Sequence, residues 1–194
     1  MTPIYTDTEQ QIADLLATMP TLAQGLGREE RACSFGAVHL ALTGTLKDTP
    51  LDCASEVIWR WGIIVQDRAP ADVCRDHPAW RALLPLVSGT GREHEEQRGQ
   101  IVLDWMWDAL ALVQPRAEAR GYGEAWARMC RERTRKSAKA AAADAAAYAA
   151  AAAAADAWRT LNPCALLQRL IAVTDERALL VDCTMETPTR GADT

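Results

Sequence analysis

Residues 123–161 read GEAWARMCRERTRKSAKAAAADAAAYAAAAAAADAWRTL, and from Ala138 to Ala157 sixteen of twenty positions are Ala. Ala loses least on entering a helix. No Gly or Pro interrupts the run before Asn162-Pro163, so the spacing predicts one rod from near Glu124 to Leu161. At 1.5 Å per residue it would span about 57 Å, whereas a compact chain of this size has a radius of gyration of only ~16 Å. Such a rod must protrude, bend or pair with another chain. A homodimer through the Ala-rich segment is the corresponding expectation, because small side chains let two backbones approach closely.

Outward from this run, composition points the same way. The chain has 194 residues, with one Phe and three Tyr, few of the aromatic residues that favour strands. Thr6 and Glu9 have the spacing of a capping box, followed by Ile12, Leu15, Leu16 and Met19 at helical intervals and a stop before Pro20. A second helix is expected over Arg28 to Thr43, with Gly44 as its C-terminal cap. A third starts near Asp52, with Val57, Ile58, Trp61, Ile64 and Val65 inward. Two short helices fit 69–91, one of them entered through His77-Pro78. From Gly91 to Val113 the apolar positions cover nearly the whole circumference, which reads as a central helix. Past a connector at 115–121 and the long rod come a helix over Cys164 to Val173, a weaker helix near Arg177 to Val181 and a polar tail. The expected fold is all-α, a compact multi-helix bundle with one long Ala-rich helix. Residues 1–183 form a single domain, and 184–194 a flexible tail.

The charge balance, 21 basic against 26 acidic side chains for a net −5, gives no general pull toward a nucleic-acid backbone. No apolar run approaches the ~20 residues of a membrane span. The start, MTPIYTDTEQQ, has no charged segment followed by an apolar one, so a cytoplasmic location is expected. The six cysteines form no C-x-x-C pair, which removes metal-knuckle and redox readings and leaves reduced thiols packed as small hydrophobes. No cofactor is expected.

Arg128, Arg131, Arg135 and Lys139 follow at steps of 3, 4 and 4, which aligns four cations on one helix face, flanked by Arg133 and Lys136. Guanidinium groups so spaced grip phosphates or carboxylates as forks. Trp126, beside them, joins them as a candidate hot-spot residue. The bland reading is a solvated face, or cations paired with the protein's own carboxylates. Glu93, Glu96, Asp104 and Asp108 form the opposing acidic stripe, where carboxylates converging from helices could hold Mg²⁺. The paired motifs of all-α nucleotide pyrophosphohydrolases are absent, His94-Glu95 does not complete H-E-x-x-H because Arg98 stands fifth, and no Glu-x-x-His pair exists. A solvated face explains the stripe more simply.

His39 reads as a satisfied core residue and His77 as a turn residue, with no Cys beside a His in sequence. No Ser lies in a G-x-S-x-G elbow. The loop 88–92, Ser-Gly-Thr-Gly-Arg, could cradle an anion on free N–H groups or serve as a plain connector. Of the pairs Trp59/Trp61 and Trp105/Trp107, spacing points the members to different sides, so one of each could reach the surface, although in a chain with one Phe most tryptophans read as bulk core filler.

The run RACSFGAVHLALTGTL from Arg31, then Pro50 to Ser55, Gly89 to Arg92 and Leu103-Asp-Trp105, resembles a loose group of uncharacterised helical proteins from bacterial and phage genomes. The likeness covers about Arg28 to Leu112 and implies a prokaryotic or viral source with no activity to carry over. Together these readings favour a non-enzymatic binding protein, an accessory factor that captures a host defence component. The partner is a protein or a nucleotide-like anion. The alternative is a nucleotide-sequestering or metal-dependent nucleotide-hydrolysing protein in which the acidic stripe faces the basic one.

Overall fold

The computed structural model describes residues 3–112, 114–119, 121, 123–133 and 155–185, and the structural statements below concern these. The protein is all-α apart from one small hairpin. Its elements are α1 (Asp7–Ala17), β1 (Gly27–Arg28), β2 (Arg31–Ala32), α2 (Ser34–Thr43), α3 (Glu56–Arg68) and α4 (Pro78–Val87). Then come α5 (Glu95–Leu112), α6 (Gln114–Ala119), α7 (Gly123–Glu132), α8 (Ala155–Leu161) and α9 (Pro163–Ala172), with short 3-10 turns at Ala71–Val73 and Glu176–Leu180. No described helix is long and apolar enough to cross a membrane.

Local chemistry sets most boundaries. Thr6 and Glu9 close the capping box at the start of α1, His77 caps α4 ahead of Pro78, Gly44 ends α2 in the left-handed conformation, and Asn162 caps α9. Two expected starts are corrected. The helix expected from Arg28 begins at Ser34, because 27–32 forms an antiparallel hairpin pairing Gly27 with Ala32 and Arg28 with Arg31. Gly27 has φ +79, and a Cβ there would lie 2.2 Å from the Arg31 carbonyl oxygen, so only glycine fits this turn. The start of α3 is Glu56, with Ser55 rather than Asp52 as the cap.

The main core is built around a chain of aromatic rings. Phe35 of α2 meets Trp59 of α3 at 5.1 Å and Trp80 of α4 at 6.4 Å; Trp80 meets Trp61 at 5.9 Å; Trp61 meets Trp105 of α5 at 5.9 Å; Trp105 meets Trp158 of α8 at 6.5 Å. Such offset and edge contacts each add up to about 1 kcal/mol beyond burial. Gly62 makes the first link feasible: a Cβ there would fall 2.1 Å from the Phe35 ring. Both members of the Trp59/Trp61 pair are buried, as the core-filling reading expects, and neither reaches the surface. In a chain with one Phe, tryptophan fills the volume between helices. A second, smaller cluster joins Ala117, Trp126 and Met129 to Trp107 and Leu110.

Three arginines hold the helices' C-terminal ends. The last carbonyls of a helix lack internal partners and carry partial negative charge. Arg81 Nη2 donates to the Leu16 and Met19 carbonyls at the end of α1, and Arg75 Nη1 donates to the Gln66 and Ala69 carbonyls at the end of α3, at 2.7 and 3.3 Å. Arg98 is fully buried. Its Nε donates to the Leu170 carbonyl of α9 (3.1 Å), Nη2 to the Thr90 carbonyl (2.7 Å) and Thr174 Oγ1 (3.0 Å), and Nη1 to the Gly91 carbonyl (3.2 Å) and Glu95 Oε1 (3.5 Å). All five donors of the fork are used. Burial pulls its pKa down and Glu95 pulls it back up, for a net lowering. A guanidinium remains charged regardless.

The two ends of the described chain are tied by Arg177. Its fork takes Glu9 at 2.7 and 2.9 Å and Asp175 at 2.6 to 3.1 Å, and Glu9 is itself buried. Burial alone would raise the pKa of Glu9, but hydrogen bonds from Arg177 and Thr6 outweigh it and hold the carboxyl below its ordinary value. The same balance lowers Asp175.

Two outcomes follow from these clamps. Arg98→Lys keeps the charge but offers fewer donors in no planar fork, and it should cost about 2–4 kcal/mol in urea unfolding; an unchanged midpoint would mean that the carbonyls around it need no fork. Because Glu9 and Asp175 hold protons less readily in the fold than in the unfolded chain, where they titrate near 4, their contribution is complete above that range and is lost as pH falls through the lower folded values. The thermal midpoint should therefore drop between about pH 5 and about pH 2, and Arg177→Met should flatten that drop while costing about 3 kcal/mol at neutral pH.

Candidate functional site

α5 and α7 carry the residues singled out in the sequence. α7 runs Gly123–Glu132 and stops there, because Arg133 adopts φ 49, a left-handed conformation outside helical geometry. The uninterrupted rod from Glu124 to Leu161 is therefore broken at its tenth residue or so, against the helix propensity of the run. Residues 134–154, including Arg135, Lys139 and most of the Ala-rich tract with its proposed dimer face, lie outside the described residues, as does the tail from 186.

Arg128 and Arg131 are exposed on α7, three residues apart and so on one side. Among the described residues neither has a carboxylate within ion-pair distance, whereas Arg133 lies 3.7 Å from Asp104 and 3.4 Å from Asp108. All three side chains are about half exposed or more, so this pairing contributes roughly 0–1 kcal/mol. Trp126 is placed differently from the expectation. It is buried against Ala117 and Met129, and its indole N–H donates to the Leu110 carbonyl at 2.8 Å. Helical spacing puts the apolar positions 126 and 129 on the packed side of α7 and the arginines on the other.

The acidic stripe divides. Asp104 and Asp108 share Arg133, and Asp104 also accepts from Gln100 at 3.0 Å; Glu93 lies before the helix, and both Glu93 and Glu96 are exposed. Among the described residues no group of three His, Cys, Asp or Glu side chains is arranged to hold a metal ion. The carboxylate between them in sequence, Glu95, does structural work that spacing did not reveal: it accepts from the Val57 N–H at 2.8 Å and pairs with Arg98.

The remaining candidates resolve into structure. His39 is buried, its Nδ1 2.8 Å from the Thr45 carbonyl and 2.9 Å from Thr43 Oγ1. In the loop 88–92, Thr90 and Gly91 turn carbonyls toward Arg98, the Gly91 N–H donates to the Cys53 carbonyl at 3.0 Å, and Thr90 Oγ1 accepts from the Ser55 N–H; its groups serve the fold. The described cysteines are unpaired thiols. Folding brings Cys164 Sγ 3.6 Å from His77 Nδ1, a neighbourhood invisible along the chain. Burial raises the Cys164 thiol far above its ordinary value, with Cys183 adding to it, and raises Cys183 to about 11. Both are held as protonated thiols at neutral pH.

α5 is the main correction. Expected at the centre, it buries only Arg98, while Leu103 is 44% exposed and Met106 50%. Its other side packs on α3, α8 and α9, and Ile64 of α3, one turn beyond Trp61, is 56% exposed. A helix apolar all round has more apolar surface than its neighbours cover, and the surplus faces outward. Comparison with known families, curated proteins and solved structures finds no match.

If Trp126 serves packing, Trp126→Phe should lose about 1 kcal/mol through the missing N–H bond and Trp126→Ala about 3 kcal/mol, measured by urea unfolding. An Ala variant as stable as the parent would return this residue to the list of surface contacts.

Proposed function

We propose that this chain works by binding a protein partner on the outer side of α5 and α7. The observation that carries the reading is the half-exposed pair Leu103 and Met106 on a helix whose opposite side is packed. Apolar side chains at a surface are where association recovers the most free energy, and α7, packed on α5, adds the exposed Arg128 and Arg131. Apolar contact with an arginine rim fits a partner segment that carries its own apolar side chains beside carboxylates. A role as an accessory factor of bacterial or phage origin, capturing a host component, belongs to this proposal and rests on the sequence resemblance. The second reading, a nucleotide-holding or nucleotide-hydrolysing protein, would need Asp104 and Asp108 to line a cleft with two or more arginines; of these, Arg133 lies against both carboxylates.

The test uses the full chain as bait, with captured proteins identified by cross-linking and mass spectrometry. Arg128→Glu with Arg131→Glu, and separately Met106→Asp, should each reduce capture of one partner at least tenfold while the helical signal stays intact, and Arg60→Glu on α3 should leave it unchanged. Equal capture by all variants would remove this face.

A further inference from the structure

The hairpin that replaced the start of the expected second helix borders a shallow, solvent-open hollow of about 420 Å³, lined by Ala23, Gln24, Gly27, Arg28, Glu30 and Arg31. That volume is in the range of small-ligand sites. Its walls are fixed by backbone bonds. The Ala23 N–H donates to the Ala32 carbonyl at 2.9 Å and the Cys33 N–H to the Leu26 carbonyl at 3.0 Å, while Asp67 of α3 accepts from the Gly25 N–H at 2.8 Å and, through its carbonyl, from Gln24 Nε2 at 2.6 Å. Gly27 packs so closely on Ala23 and the Arg31 carbonyl that no side chain could intervene.

On this frame Arg28 and Arg31 are direct cross-strand partners. Residues opposed in this way share one face of the ladder, and like charges so placed repel. Arg60, Arg92, Arg159 and Arg177 have found carboxylates, whereas the exposed Arg68 and Arg169 have no ion pair among the described residues. Among the described residues Arg28 and Arg31 have none within ion-pair distance, although Glu29 and Glu30 are their chain neighbours. Two arginines paired across the ladder and lining one open hollow match the several oxygens of a phosphate group, which can accept from both and remove the repulsion.

We propose that this hollow binds a small phosphorylated molecule, its phosphate between Arg28 and Arg31 and a hydroxyl or amino group of its organic part donating to Glu30. The site is separate from the α5–α7 face, and it does not depend on that reading.

The experiment is isothermal titration calorimetry of the full chain at low salt with inorganic phosphate, a nucleoside monophosphate and the same nucleoside without phosphate, followed by amide chemical shifts. Both phosphates should bind, the nucleotide more tightly, and the bare nucleoside should not; the shifts should concentrate between Gly25 and Ala32. Arg28→Ala with Arg31→Ala should weaken binding at least tenfold. Both side chains are exposed, so the double variant should keep the parent's thermal midpoint without ligand, which separates lost binding from lost folding. Glu30→Gln should narrow the gap between nucleotide and inorganic phosphate. Arg128→Glu with Arg131→Glu should leave all these affinities as they were, so failure of one site is distinguishable from failure of the other. Binding that survives the double alanine variant, or no phosphate binding at millimolar concentration, overturns the proposal. Inorganic phosphate binding as tightly as the nucleotide would overturn the part assigned to Glu30 and reduce the site to one for free phosphate.

Discussion

The fold depends on one buried charge whose every donor is used. Removing a guanidinium from water costs several kcal/mol unless hydrogen bonds replace its hydration. Arg98 meets that condition mainly with the carbonyl oxygens of Thr90, Gly91 and Leu170, with Glu95 more distant. Those carbonyls belong to the loop after α4 and the last turn of α9, so the first turn of α5, the loop and α9 can assemble in only one mutual arrangement. With α5 fixed, Trp105 is delivered to Trp61 on one side and Trp158 on the other. Arg75 and Arg81 apply the same chemistry to the ends of α3 and α1. At the ends of α1, α3 and α9, none of them closed by glycine, a fork from a neighbouring element answers orphan carbonyls, and each cap then doubles as a tertiary contact.

That dual role explains what could be read along the chain. Signals complete within four residues were legible: the Thr6–Glu9 box, His77-Pro78, Gly44 and Asn162-Pro163 each mark an observed boundary. Arg98 sits in the polar run GREHEEQRGQ, which pattern alone assigns to solvent, because its partners lie 72 and 76 residues away in Leu170 and Thr174. Glu9 was legible as a cap, but its partnership with Arg177, 168 residues distant, was not. The hairpin at 27–32 was missed because its two-residue strands show no alternation.

For the candidate site the boundary of legibility is orientation. Spacing correctly set Arg128 and Arg131 on one side of a helix, but the apolar partners of Trp126 decided which side was packed, and Trp126 went inward with them. In α5 the apolar residues surround the axis, so periodicity could not choose an inner face, and the inference from all-round apolarity to central position failed. Propensity likewise carried the rod through Arg133, where its contacts with Asp104 and Asp108 accompany a left-handed turn.

The distribution of arginine separates structural from available charge. An acidic protein has carboxylates to spare, 26 against 21 basic side chains. Here Arg177 takes two carboxylates and Arg133 sits between two, yet Arg28 with Arg31, and Arg128 with Arg131, stand as pairs three residues apart without such partners among the described residues. The first pair is opposed across a ladder and the second lies along a helix, so neither pairing arises from a shared local geometry. Repulsion within each pair is a small standing cost, and it is recovered only when something anionic arrives. The first pair lines a hollow of molecular size and the second adjoins an apolar helix side, so the two suit ligands of different scale: a small phosphorylated molecule at the hairpin and a protein surface at α5 and α7.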